Sequence, residues 1–198
     1  MKSNICVIKQ GGCGLEAVLA ETKKVTDYNG LQQKEALRLR LLAEELVGML
    51  PELVKKFDGC FWLQNDGNRY ELHVELSVSN LSKEKKAELI RVSANKKNAA
   101  ASGFMGKIRD IAENMLLHSE DPMPNMYMDN EYLYGYGVAD MNYTYAWSLE
   151  HYVEQQKAEK KQEAEWDQLE KSIVAKLADD VIVGVSGQKV EIIIKKEF

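Results

Sequence analysis

This sequence is poor in the residues that staple, kink or cross-link a chain. It has three cysteines, three prolines and three histidines in 198 residues. Cys6, Cys13 and Cys60 are odd in number and form no C-x-x-C pair, which argues against a disulfide framework. His73, His118 and His151 are too scattered for a zinc signature. No apolar run approaches the roughly 18 residues of a membrane span, and no signal-peptide pattern opens the sequence. The glycine-rich QGGCG of Gln10 to Gly14 lacks both the G-x-G-x-x-G spacing and a P-loop lysine, so it reads as a turn rather than a phosphate cradle. Internal repeats, low-complexity tails and sustained heptads are also missing. A net charge of −5 argues against nucleic acid as the main partner. The apolar share of 45% and charged share of 29% are those of a soluble globular chain. The expectation is a single domain, 1–198, in a reduced, cytoplasmic setting.

What is present centres on Leu37 to Leu50, LRLRLLAEELVGML. At about 100° per residue, Leu39, Leu42, Ala43, Leu46 and Leu50 fall on one side, with Val47 and Met49 at its edges. That stripe predicts a helix laid against a sheet or another helix, opened by a capping box at Asn29 and Gln32 and ending near Pro51 with a short extension, Glu52 to Phe57. The helix carries adjacent carboxylates. Glu44 has Arg40 one turn before it and is placed for an i,i+4 pair. Glu45 has no cation within a turn and apolar neighbours on both sides, which makes it a candidate general base. A solvated helix flank is the plain alternative.

Around this helix the chain alternates between strand and helix patterns. NICVIK (Asn4 to Lys9) suits a first strand, and Leu15 to Lys24 a helix. CFWLQ and RYELHVELSVS flank Asn65-Asp66-Gly67, a strong hairpin signal, with Tyr70, Leu72, Val74, Leu76 and Val78 on one face. His73 and Glu75 fall on the other face, expected to be solvated or covered by a helix. A lysine-bearing stretch with Lys96 and Lys97 leads to Ser102, Gly103 and Gly106, where a further helix opens with Ile108, Ile111 and Met115 inward. Lysines before such a helix N-terminus can meet phosphate, although solvated lysines are the commoner case. Trp147 to Leu177 reads as one long helix with a polar middle, and DDVIVGVSGQKVEIIIKKEF as a closing hairpin joined at Ser186-Gly187-Gln188.

Residues 119–147 crowd Tyr127, Tyr132, Tyr134, Tyr136, Tyr143 and Tyr145 with Met123, Met126, Met128 and Met141. Such a segment buries its rings on contact surfaces. Disorder is disfavoured, because disordered segments are poor in aromatics. It is expected to pack across a symmetric homodimer or, as the alternative, to fold back as a lid beside Glu45. The element order predicts an α+β two-layer sandwich, a mixed or antiparallel sheet covered by helices on one face, with 118–167 as an insertion.

In chain order, LRLRLLAEELVGML, the strand pair that follows, SGFMGKIRDI and KLADDVIVGVSGQKVEIIIKKEF resemble the histidine-kinase-type (Bergerat, GHKL) ATPase superfamily. Within it they are most similar to the small anti-sigma-factor serine kinases. The resemblance covers roughly residues 4–117 and 168–198 and leaves out 118–167. It implies that a helix glutamate activates water or an acceptor hydroxyl, a role that falls on Glu45, with Glu44 as the second choice. The asparagine that would hold magnesium one turn later falls on Met49, or on Gly48 if Glu44 is taken. Neither offers the oxygen that a hard cation needs. The adenine-reading Asp-x-Gly has no counterpart in Ser77-Val78-Ser79-Asn80, and the glycine box is partly matched by Gly103 and Gly106. The resemblance therefore implies a degenerate ATPase-type domain of bacterial-style regulation, binding a protein partner, with ATP or ADP binding vestigial or altered. One alternative is an active ATP-dependent serine kinase or ATPase, with Glu45 as base, the Ser102–Gly106 loop as phosphate cradle, and Lys96 or Lys97 on the γ-phosphate. Another is a structural protein that assembles through the insertion.

Overall fold

Strand alternation decides which way this sheet faces. The computed structural model describes residues 1–9, 14–53, 57–78, 108, 111–112, 115–116, 145–159 and 172–198. In chain order these give β1 (Cys6–Lys9), α1 (Leu15–Tyr28), α2 (Gln33–Leu53), β2 (Phe57–Asp66), β3 (Arg69–Val78), β4 (Tyr145–Ser148), α3 (Leu149–Glu159), α4 (Ile173–Leu177), β5 (Asp180–Ser186) and β6 (Lys189–Glu197). The strands form one sheet in the order β1-β2-β3-β6-β5-β4. Every neighbouring pair is antiparallel. The architecture is α+β. Its centre is the β3–β6 pair, where Leu72 stands opposite Ile194 and Val74 opposite Ile192.

One face of the sheet is apolar. Phe61, Leu63, Leu72, Val74, Leu76, Val183 and Ile192 are buried there. They share one core cluster with Val18 and Val25 of α1, Leu39, Leu42, Leu46 and Leu50 of α2, Tyr152 of α3 and Val174 of α4. Ile108, Ile111 and Met115 are helical and join the same cluster. The predicted stripe of α2 is thus its buried face, and the predicted Tyr70–Leu76 alternation is the buried face of β3. The opposite face of the sheet is mostly polar. On it Ile182 and Ile193 form a second small buried cluster with Ala146 packed against it. This is why DVIVGVS reads as continuously apolar rather than alternating.

Both hairpins turn on glycine. Gly67 and Gly187 each have φ of 59° and open a two-residue loop, a left-handed conformation that side chains with a Cβ resist. The first loop is Gly67-Asn68, one residue later than the expected turn, so Asp66 pairs with Arg69 at the end of the ladder. At the outer edge, the Asn4 backbone N–H and side-chain amide donate to Glu21 Oε1 of α1 at 3.0 Å and 2.8 Å. A buried carboxylate thus covers a donor at the edge of the sheet.

Several expected boundaries move. The first strand begins at Cys6 rather than Asn4, and α1 runs to Tyr28 rather than Lys24. Asn29 ends α1, where its amide donates to the Val25 carbonyl. It does not open α2. The capping interaction sits at Gln32, whose backbone N–H donates to Glu35 Oε2 at 3.0 Å. The α2 helix runs on past Pro51 to Leu53, as the expected extension has it, but Phe57 already begins β2. Trp147 does not begin a long helix. It lies in β4, paired with Val183. α3 starts two residues later, where the His151 backbone N–H donates to Ser148 Oγ and the Glu150 N–H to Asp180 Oδ1. α4 is a separate helix, because Ser172 at its N-cap is extended and accepts from the Ala175 N–H. β4 and α3 fall within 118–167 yet pack into the common core through Trp147, Leu149 and Tyr152.

The two faces of α2 should separate cleanly under truncation. Leu46→Ala should lower the unfolding free energy by about 2–5 kcal/mol. Leu37→Ala, at an exposed position, should stay within about 0.5 kcal/mol. Urea unfolding followed by circular dichroism reads both.

Candidate functional site

The buried stripe of α2 leaves its two carboxylates on the other side. Glu44 is exposed and Glu45 half-buried. Neither makes a hydrogen bond or ion pair with any described residue. The expected Arg40–Glu44 pair does not form, since two exposed ends gain little from pairing in water. Gly48 lies one turn after Glu44. A Cβ built on it meets nothing within 4 Å, so the surface beside the two carboxylates is open at that point. Adjacent positions on a helix do not face each other, so Glu44 and Glu45 cannot close on one ligand together.

Met49, one turn after Glu45, is 4% exposed and belongs to the core. A buried thioether offers no oxygen to a hard cation, and Gly48 offers no side chain at all. Among the described residues, no three His, Cys, Asp or Glu are grouped to hold a metal ion. The residues around Glu45 therefore do not fit magnesium. What the site can do chemically is accept a hydrogen bond or a proton through one partly shielded, unpaired carboxylate. Ser102, Gly103, Gly106, Lys96 and Lys97 lie outside the described residues, as do Ser79, Asn80, the Gln10–Cys13 part of the glycine turn, and the tyrosine- and methionine-rich segment up to residue 144.

A second polar constellation sits on the opposite face of the sheet. His73 is buried, with its Nδ1 3.0 Å from Glu191 Oε1 and its Nε2 3.2 Å from Glu71 Oε2. Its ring stacks on Trp62 at 4.9 Å between centroids, 9° from parallel. The Lys2 ammonium lies 4.5 Å from the Trp62 ring centroid. Burial pushes the His73 imidazole down, but the hydrogen bonds and charges of Glu191 and Glu71 outweigh it and hold the imidazole above its ordinary value. The hydrogen bond from His73 holds Glu71 below the usual carboxylate range. Sequence alone placed His73 and Glu75 on one face and found nothing more there. Glu191, 118 residues away, reaches His73 only through the β3–β6 register. The alternation of Glu71, His73 and Glu75 was the one available signal.

Among the described residues, the Cys6 and Cys60 thiols are poor nucleophiles. Burial, then the charge of Glu21, pushes the Cys6 thiol up. Burial, then the charge of Glu75, does the same to Cys60. Both stay protonated near neutrality and are poorly reactive. Among the described residues, no helix is long and apolar enough to cross a membrane.

No family model, no curated protein and no solved structure matches this chain.

The contrast between Glu45 and Met49 can be measured directly. Glu45→Gln should change the unfolding free energy by less than about 0.5 kcal/mol, because no interaction is lost. Met49→Asn should cost about 1–3 kcal/mol, because it buries an amide without partners. Paired urea titrations of the two variants against the wild type check both.

Proposed function

We propose that this chain is a degenerate histidine-kinase-type ATPase domain that works as a regulatory, protein-binding module similar to the anti-sigma-factor kinases. The observation that carries the reading is on α2. The helix presents an unpaired, half-buried Glu45 at the position of the family's activating glutamate. The position one turn on, where the family's magnesium ligand would stand, is a methionine sunk in the core. A site that keeps its carboxylate and loses its cation ligand is poorly made for charge neutralisation on a phosphate. ATP or ADP binding in this reading is weak and independent of magnesium. The tyrosine- and methionine-rich residues 119–144, ahead of β4, are the contact surface in this reading, for a regulatory partner or a second copy of the chain.

The unpaired Glu45 also favours a second reading, an active ATP-dependent serine kinase or ATPase with Glu45 as the base. Turnover separates the two. Activity in the wild type that Glu45→Gln abolishes supports the enzyme, and equal inactivity of both removes it.

Titration calorimetry with ATP and ADP, with and without magnesium, tests the proposed reading. The expected result is no binding tighter than about millimolar and no magnesium effect. Micromolar, magnesium-dependent binding contradicts it. For the contact surface, the wild-type chain should sediment as a dimer at micromolar concentration, and replacing Glu120 to Met141 by a short Gly-Ser bridge should leave a monomer. A monomeric wild type contradicts the dimer.

A further inference from the structure

The polar face of the sheet carries a group with no part in the reading above. His73 is the histidine of that face among the described residues, and both of its ring nitrogens point at acceptors. A carboxylate oxygen can only accept a hydrogen bond. A neutral imidazole has one N–H and one lone pair, so it can satisfy Glu191 or Glu71 but meets the other with its lone pair. The arrangement closes only when the three groups share one extra proton, held as an imidazolium between two carboxylates.

The place of this cluster in the fold gives the proton a consequence. β1, β2 and β3 lie on one side of the β3–β6 seam, and β6, β5 and β4 on the other. On the polar face, ion pairs among the described residues cross the seam. Glu75 meets Lys189, Arg69 meets Glu197, and His73 meets Glu191. The first two pairs sit toward the ends of the seam and are largely exposed, while the His73 pair is central and its imidazole is shielded by the stacked Trp62 ring. Screening makes the outer pairs weak and the inner one strong.

We propose that His73 is a proton-operated clasp between the two halves of the sheet, closed when it holds Glu71 and Glu191 together and loosened when its proton leaves. The charged and titratable groups that face it among the described residues are Glu71 and Glu75 on β3, Glu191 and Lys195 on β6, Cys60 on β2, and Lys2 over the Trp62 ring. The two cations do not contact the imidazole. Lys195 acts on Glu71, and Lys2 lies over the Trp62 ring. Loss of the proton leaves Glu71 or Glu191 facing a lone pair, so that carboxylate turns away; the central side-chain link across the seam loses its charge, and it opens where the remaining N–H stays on Glu71.

The direction with pH follows from the raised imidazole. The folded protein holds the proton more tightly than the unfolded chain does. The stabilisation is therefore complete below the ordinary histidine value of about 6.5 and is lost as pH rises through the folded value. Glu71 shifts the opposite way, so its contribution is lost only in acid, as pH falls through its depressed value. The clasp is closed between these limits and opens on the alkaline side first.

Imidazole nitrogen shifts of the uniformly labelled wild-type chain test this without any variant. The expected result at about pH 6 is both His73 nitrogens protonated, with titration above about 6.5. One bare nitrogen at that pH, or titration below that value, overturns the proposal. His73→Gln adds a second reading, since glutamine donates but does not titrate. Between about pH 6 and pH 8, the urea midpoint of the wild type should fall more than that of the variant. Parallel changes in the two proteins overturn the proposal. If the variant does not fold, the wild-type titration decides alone.

Discussion

The antiparallel pairing of β3 with β6 is the constraint on which the rest depends. These strands are far apart in sequence, yet they form the middle of the sheet. Leu72, Val74, Ile192 and Ile194 lie on their inner side, against the stripe of α2. The period of a strand is two, so a slip of one residue would turn these side chains outward and bring Glu71, His73, Glu191 and Ile193 into the core. That penalty sets the register. The same register assembles the histidine–carboxylate cluster on the other face, so the apolar core and the polar clasp are two consequences of one pairing.

Local pattern carried much of the fold. The leucine stripe of α2, the alternation of Tyr70 to Leu76 and the two glycine turns are properties of short segments, and each appears in the structure within a residue or two. The misses are of another kind. β4 is four residues long, and Trp147 is indistinguishable in sequence from the start of the helix that follows. What ends the strand is Ser148 with Asp180, a cap supplied from a residue that is remote in sequence. The capping box at Gln32 and Glu35 was misplaced by three residues because asparagine is a better N-cap than glutamine by propensity. Here Asn29 serves α1 instead, and also accepts from the buried Asn65 amide.

The site was legible only where it sits on one helix. The carboxylates of α2 and the apolar position of Met49 can be read from a helical wheel, and Glu45 is indeed left without a partner among the described residues. His73 could not be read in the same way. Its partners come from two strands, and its environment from a third through Trp62. The α2 helix thus offers two carboxylates without partners among the described residues, and no side-chain oxygen at Gly48 or Met49 one turn later.

Native-state hydrogen exchange tests the central role of the β3–β6 pairing most directly. The pairing organises both layers, so the amides of β3 and β6 should exchange slowest, through global unfolding. Those of the edge strands β1 and β4 should exchange through smaller openings, at rates faster by an order of magnitude or more. Edge-strand amides protected as well as Val74 and Ile192, or a seam that opens before the edges, would contradict the account.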